Sequence, residues 1–106
     1  MNKINCFMDD MRTPLSIDGE KLSPPSKYWV IARTIDDTKT LLLLGIVNDL
    51  SLDHDMGFDK GEKTGYDLVK WMEENNVWPI GKITVHSANP AGRDNMMSVL
   101  IRNGKA

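Results

Sequence analysis

Cysteine is almost missing from this 106-residue chain. Cys6 stands alone, which excludes an internal disulfide and a zinc site built on several thiolates. Long hydrophobic runs are missing too. The longest pure aliphatic run, Leu41 to Leu44, is far short of the roughly 20 residues that cross a bilayer as a helix. No apolar stretch of the signal-peptide kind stands near the N-terminus. Positive charge is not in excess: 13 Lys and Arg face 15 Asp and Glu, a net −2 with neutral histidines. A chain so balanced lacks the basic face that displaces counterions from duplex nucleic acid, although recognition of one nucleotide or one RNA end stays open. Internal repeats, low-complexity tracts and interdomain linkers are absent as well. The expectation is one domain over residues 1–106, cytoplasmic, with no bulk duplex and no membrane among its partners.

What is present alternates. Ile4-Asn5-Cys6-Phe7-Met8 reads as a short buried strand that stops at Asp9-Asp10. Pro14, Gly19, Pro24 and Pro25 make the next segment a loop, since no helix tolerates that spacing. Tyr28 to Arg33, aromatic and β-branched, reads as a second strand. Thr34 to Asp37 offers capping residues, Thr38 to Leu44 reads as a helix with its aliphatic run toward the core, and Gly45 is a natural stop. Leu50 to Asp53 reads as a third strand. A helix opens at Thr64, with Asp67 placed for a capping box, and runs to about Asn76. Lys82 to Ser87 reads as a fourth strand. Asn89-Pro90 then starts a last helix, closed by Gly104. Strands alternating with helices predict a parallel sheet covered by helices.

In open parallel sheets, sites lie at the carboxyl ends of the strands. That rule gathers the polar residues. Asp9, Asp10 and Asp53 would converge if the first and third strands are neighbours, and three carboxylates with waters suit Mg²⁺. Alternatively, Asp9 and Asp10 only end a strand and begin a turn. Without a cation, carboxylates so close would repel, and one should hold a raised pKa. The only histidines, His54 and His86, both fall at predicted strand ends. With neighbouring strands about 4.8 Å apart, they could flank one small ligand and act on a phosphate ester as general base and general acid. A metal site on Asp53, His54 and Asp55 is weaker, because adjacent strand residues point to opposite faces. Ser87, Asn89 and Arg93 surround the start of the last helix, where free N–H groups and the dipole favour an anion. Arg93 opposes the dipole there, which makes sense if it meets a phosphate. The alternative is that it pairs with a nearby acid.

These residues resemble the receiver fold of response regulators. Phe7-Met8-Asp9-Asp10 is similar to the receiver's acidic pair, Leu50-Ser51-Leu52-Asp53 to the segment around its phosphoacceptor, and Thr84-Val85-His86-Ser87-Ala88 to its fourth strand. By that likeness Asp53 matches the phosphoacceptor and Ser87 the switch hydroxyl. The chain departs from the pattern in its Pro-rich loop and in lacking a lysine-bearing fifth strand; Lys105 does not match. A narrower group, the cyclic-phosphate-processing receiver domains of phages and bacterial RNA-repair contexts, fits more of it. The resembling segments are Met8-Asp9-Asp10-Met11-Arg12-Thr13-Pro14, Ser51-Leu52-Asp53-His54-Asp55-Met56-Gly57, Thr64-Gly65-Tyr66-Asp67 with Trp71, and Val85-His86-Ser87-Ala88-Asn89-Pro90-Ala91-Gly92-Arg93-Asp94-Asn95-Met96.

The resemblance implies a receiver-like, flavodoxin-like α/β three-layer sandwich. It would be truncated to about four parallel strands in the order 2-1-3-4, with no fifth strand. It also implies handling of 2′,3′-cyclic phosphates. The reading that follows is a small phosphoesterase acting on an RNA end or a cyclic nucleotide. His86 and His54 would be its acid–base pair, Ser87, Asn89 and Arg93 would hold the phosphate, and Asp9, Asp10 and Asp53 would orient the histidines or bind Mg²⁺. The rival is a non-enzymatic degenerate receiver that binds a host protein or a nucleotide. Its exposed sheet edge would recruit the partner, and Trp71 and Trp78 would serve as contact surface or as buried anchors. A third reading is phosphorylation of Asp53 by small phosphodonors.

Overall fold

A computed structural model describes residues 3–11, 29–56 and 64–106 of the chain. The Pro14 to Pro25 loop, Tyr28 and Gly57 lie outside the described residues. The described chain runs β1 (Ile4–Met8), β2 (Trp29–Ala32), α1 (Ile35–Leu43), β3 (Val47–Leu52), α2 (Gly65–Asn75), β4 (Ile83–Val85) and α3 (Pro90–Arg102). All strand pairs are parallel, and the sheet order is β2-β1-β3-β4. This is the expected receiver-like order. Among the described residues no strand follows α3, and no helix is long and apolar enough to cross a membrane.

The register fixes what each face carries. Met8 pairs with Ala32 and with Leu52, and Leu52 pairs with Val85. Side chains at paired positions share a face, and the face alternates along a strand. Cys6, Met8, Ala32, Leu50, Leu52, Ile83 and Val85 therefore line one face, and all belong to a single buried cluster with Ile35 and Leu42 of α1, Leu68, Val69 and Met72 of α2, and Met96, Val99 and Leu100 of α3. The three described helices pack on that face. The second helical layer of the expected sandwich is not represented among the described residues. Truncating one of the wholly buried leucines here to Ala would cost about 2–5 kcal/mol. Burial pushes the Cys6 thiol up to about 12, so at neutral pH it stays a protonated, inert core side chain.

Local chemistry explains the helix ends. The Thr34 hydroxyl accepts the Asp37 N–H at 3.1 Å, and Asp36 and Asp37 occupy the positive first turn of α1. The helix thus starts three residues before the expected Thr38, because the acids are its first turn rather than its lead-in. The expected inward aliphatic run is corrected too. Leu42 is buried, but Leu43 and Leu44 are 65% and 61% exposed. Residues on a helix advance about 100° each, so four in a row cannot face one core. The Asp67 carboxylate accepts the Thr64 N–H at 2.7 Å and its hydroxyl at 3.2 Å, fixing the start of α2. At the other end, Asn76 takes the left-handed conformation that closes the helix. The Asn89 side chain accepts the Gly92 N–H at 2.9 Å, and Pro90 opens α3. β4 is shorter than expected: the Lys82 N–H goes to the Asp49 carboxylate, and beyond Val85 the chain turns as the Ser87 hydroxyl accepts the Asn89 N–H.

A polar clamp joins α2 to the end of α3. Arg102 donates twice to the Glu73 carboxylate, each at 2.7 Å, and Asn103 adds a third bond at 2.7 Å. The Arg102 and Asn103 hydrogen bonds lower the Glu73 pKa from 4.5 to about 2. A carboxyl depressed on folding stabilises the fold above its unfolded pKa and loses that contribution as pH falls through the folded one. We predict that the wild-type melting temperature drops more steeply than that of Glu73→Gln between about pH 4.5 and pH 2, measured by thermal unfolding across that range.

Candidate functional site

The site follows from the same alternation that builds the core. Phe7 pairs with Ile31 and with Ser51, and Ser51 with Thr84. Two residues further along each strand stand Arg33, Asp9, Asp53 and His86. Backbone bonds carry the ladder one residue past the strand ends: Asp9 N–H to Ala32 O at 3.1 Å, Asp53 N–H to Met8 O at 3.0 Å, and His86 N–H to Leu52 O at 2.9 Å. The four residues therefore form one rung across the carboxyl edge of the sheet, on the face opposite the helices.

Asp9, Asp53 and His86 meet there. One ligand atom from each lies within 4.8 Å of the other two. Asp9 is fully buried, Asp53 is 4% exposed, and the His86 side chain is 4% exposed. His86 Nε2 lies 3.1 Å from Asp9 Oδ2, and with Asp9 ionised the ring nitrogen is the donor, since an ionised carboxylate only accepts. In the neutral ring Nδ1 is then the acceptor, and the Ser51 hydroxyl donates to it at 2.7 Å. Phe7 stacks on the imidazole at 4.3 Å between centroids, with 6° between the planes. The ring is thus held in plane by an aromatic and in rotation by two hydrogen bonds. The other Asp9 oxygen accepts the Met11 N–H at 2.9 Å. One Asp9 oxygen thus shapes the turn, as one of the two readings expected, and the other faces His86. Arg33 donates to the Asp9 backbone carbonyl at 3.1 Å.

Asp10 is not in this group of three. His86 takes its place beside Asp9 and Asp53. Nor does His54 join the group; it lies on the other side of Asp53. The Asp53 Oδ1 accepts the His54 N–H at 2.8 Å, while the His54 ring bonds Asp55 through Nδ1 at 2.8 Å. That ring lies against Gly92 in the first turn of α3, where a Cβ would come within 2.4 Å of His54 Cγ. The two histidines therefore contact different layers, His86 the Phe7 and Ser51 face and His54 the α3 side. Asn89 links the second group by donating to Asp55 Oδ1 at 3.3 Å. Ser87 is buried at the turn into α3. Arg93 is exposed and donates to the Val85 carbonyl at 2.9 Å.

The family model of the cyclic-phosphate processing receiver domain matches residues 4–102. The chain belongs to that family. Curated proteins give no match. In this cyclic-phosphate processing receiver domain the buried donor set, two carboxylates and one imidazole, fits a divalent cation. Bonds of about 2.1 Å to a shared ion place ligand atoms at most about 4.2 Å apart, so the observed spread has little to close. A cation would also offset the cost of holding two buried carboxylates side by side.

Sequence reasoning missed Ser51, Phe7 and Arg33. The signal was available in the period of two, which sets Ser51 and Phe7 two positions before Asp53 and Asp9. Two glycines hold the site's backbone. A Cβ at Gly65 would lie 2.0 Å from the Asp53 backbone carbonyl, whereas the three atoms nearest to one at Gly92 all belong to the His54 ring, a side chain that can shift. We predict that Gly65→Ala destabilises the domain by about 2–4 kcal/mol. Gly92→Ala should cost less but displace the His54 ring signals in the NMR spectrum while leaving those of His86 in place.

Proposed function

We propose that this domain hydrolyses a 2′,3′-cyclic phosphate, on an RNA end or a nucleotide, to a phosphomonoester. The observation that carries this reading is the Asp9, Asp53 and His86 rung at the carboxyl edge of a parallel sheet, with α3 beginning at Pro90, four residues after His86. Water adds to phosphorus, one ribose oxygen leaves, and that oxygen regains a proton. A cyclic phosphate is an anion, so two buried carboxylates would repel it unless their charge is neutralised. Asp9, Asp53 and His86 are the residues that would hold a divalent cation, with Mg²⁺ the expectation when carboxylates alone are considered. Such an ion, when bound, lowers the pKa of water and polarises a phosphoryl oxygen.

The remaining roles fall to the α3 side. The α3 N-terminus offers backbone N–H groups and its dipole, with Ser87, Asn89 and Arg93 around it, to the phosphate oxygens. His54 lies against that first turn. With Nδ1 held on Asp55, its Nε2 delivers the proton to the leaving ribose oxygen. The histidines thus take unequal parts, His86 in the charge-neutralising cluster and His54 as general acid.

The test is to incubate the protein with all four 2′,3′-cyclic nucleotides and an RNA ending in a cyclic phosphate, with and without divalent ions, and follow products by mass spectrometry. We expect ion-dependent turnover that chelation abolishes. Asp9→Asn, Asp53→Asn and His86→Gln should each lower kcat/KM by at least about 100-fold, and His54→Gln by about 100-fold or more, the usual contribution of a general acid. Tight nucleotide binding without turnover under every ion would overturn this reading in favour of a receiver that only binds.

A further inference from the structure

The histidine in the rung changes which ion the site suits, and the residue behind it explains how the histidine could serve. Resting on the assignment of Asp9, Asp53 and His86 as the ligand set, we propose that the site selects a divalent transition ion of the Mn²⁺ to Zn²⁺ series over Mg²⁺, with Ser51 switching which His86 nitrogen carries the ring hydrogen.

Mg²⁺ is hard, favours oxygen and retains its waters. An imidazole suits Zn²⁺, Fe²⁺, Ni²⁺ and their neighbours, and affinity at mixed nitrogen and oxygen sites climbs from Mn²⁺ toward Cu²⁺. Three carboxylates would have kept the site hard. One imidazole in place of Asp10 tilts it toward the softer ions.

With Asp9 ionised, the 3.1 Å contact between His86 Nε2 and Asp9 Oδ2 puts the ring hydrogen on Nε2, and Nε2 so protonated cannot ligate. The hydrogen must move to Nδ1, and Nδ1 then needs an acceptor in a place where water is scarce. Ser51 is 1% exposed, and its hydroxyl lies 2.7 Å from Nδ1. A hydroxyl both donates and accepts. It donates to Nδ1 in the ion-free protein and accepts from it when Nε2 is bare. A carbonyl at that spot would fix one tautomer and a backbone N–H the other; the serine allows both. Phe7 stacks on the ring without a polar preference, so the plane is kept while the hydrogen changes sides. The exchange removes the hydrogen that stands between Nε2 of His86 and Oδ2 of Asp9. No net proton is released, because one neutral tautomer becomes the other. Ser51 acts here as a positioning residue.

The experiment titrates the full chain with MgCl₂, MnCl₂, CoCl₂ and ZnCl₂ by calorimetry, without substrate, and records imidazole ¹⁵N shifts of the ion-free and Zn²⁺-loaded protein. We expect Zn²⁺ to bind at least about 100-fold more tightly than Mg²⁺, and His86 to pass from the Nε2–H to the Nδ1–H tautomer on loading. Ser51→Ala, shown folded by circular dichroism, should weaken Zn²⁺ binding by about 10–100-fold while changing Mg²⁺ binding little, and Ser51→Thr should restore most of the loss. Mg²⁺ binding as tight as Zn²⁺, His86 remaining Nε2–H in the Zn²⁺ complex, or unchanged Zn²⁺ affinity in Ser51→Ala would each overturn the proposal. Because no substrate is present, tight Zn²⁺ binding in a protein inert toward cyclic phosphates would sink the hydrolase reading and leave this one standing.

Discussion

Two carboxylates and an imidazole share a buried rung at one edge of a parallel sheet, and the rest of the molecule is arranged around keeping them there. The rung exists because three neighbouring strands end in register. The backbone ladder runs one residue beyond β1 and β3, so Asp9, Asp53 and His86 inherit the alternation of the strands that deliver them. A one-residue slip of any strand would turn its member toward the helices. What holds register is the opposite face, where Met8, Leu52 and Val85 pack into the core under α2 and α3. Hydrophobic burial on one side of the sheet therefore sets the polar chemistry on the other.

The electrostatics are demanding. Two aspartates almost without solvent contact cannot both be charged cheaply. The fold offers partial relief: the Met11 and His54 N–H groups each bond one carboxylate, and His86 Nε2 bonds Asp9. These contacts also keep the carboxylates fixed, so a divalent ion would meet an arranged donor set rather than one it must assemble. In a response-regulator receiver a lysine on a fifth strand supplies positive charge near the acidic cluster. Among the described residues of this domain, β4 is followed by α3 and no further strand. Here the residue just after β4 is a histidine bonded to Asp9, and it completes a rung that could hold a divalent cation.

Much of this could be read from residues alone, and the failures are instructive. The capping roles of Thr64 and Asn89 follow from local chemistry and the parallel sheet from the βα alternation, while the strand order, and with it the convergence of Asp9 with Asp53, came through the receiver resemblance. The start of α1 was misjudged because Asp36 and Asp37 read equally well as lead-in or as first turn. Leu43 and Leu44 were expected inside because composition was weighed above helical angle. Pairing His54 with His86 relied on both lying at strand ends. It neglected that His54 directly follows Asp53, so that one of the two must face the helices. Ser51 was read only as part of its strand, although a serine two positions before Asp53 is what the rung's own arithmetic would flag, and it is buried.

The family assignment names a substrate class, whereas the geometry names a charge problem and the groups able to solve it. Both meet on one claim, that His86 and not His54 shares an ion with the two aspartates. Pulsed electron paramagnetic resonance of the Mn²⁺-loaded protein tests it directly, because nitrogen bound to the ion gives a resolved coupling. The account predicts one imidazole nitrogen, lost in His86→Gln and retained in His54→Gln. A coupling that survives in His86→Gln and vanishes in His54→Gln would contradict it.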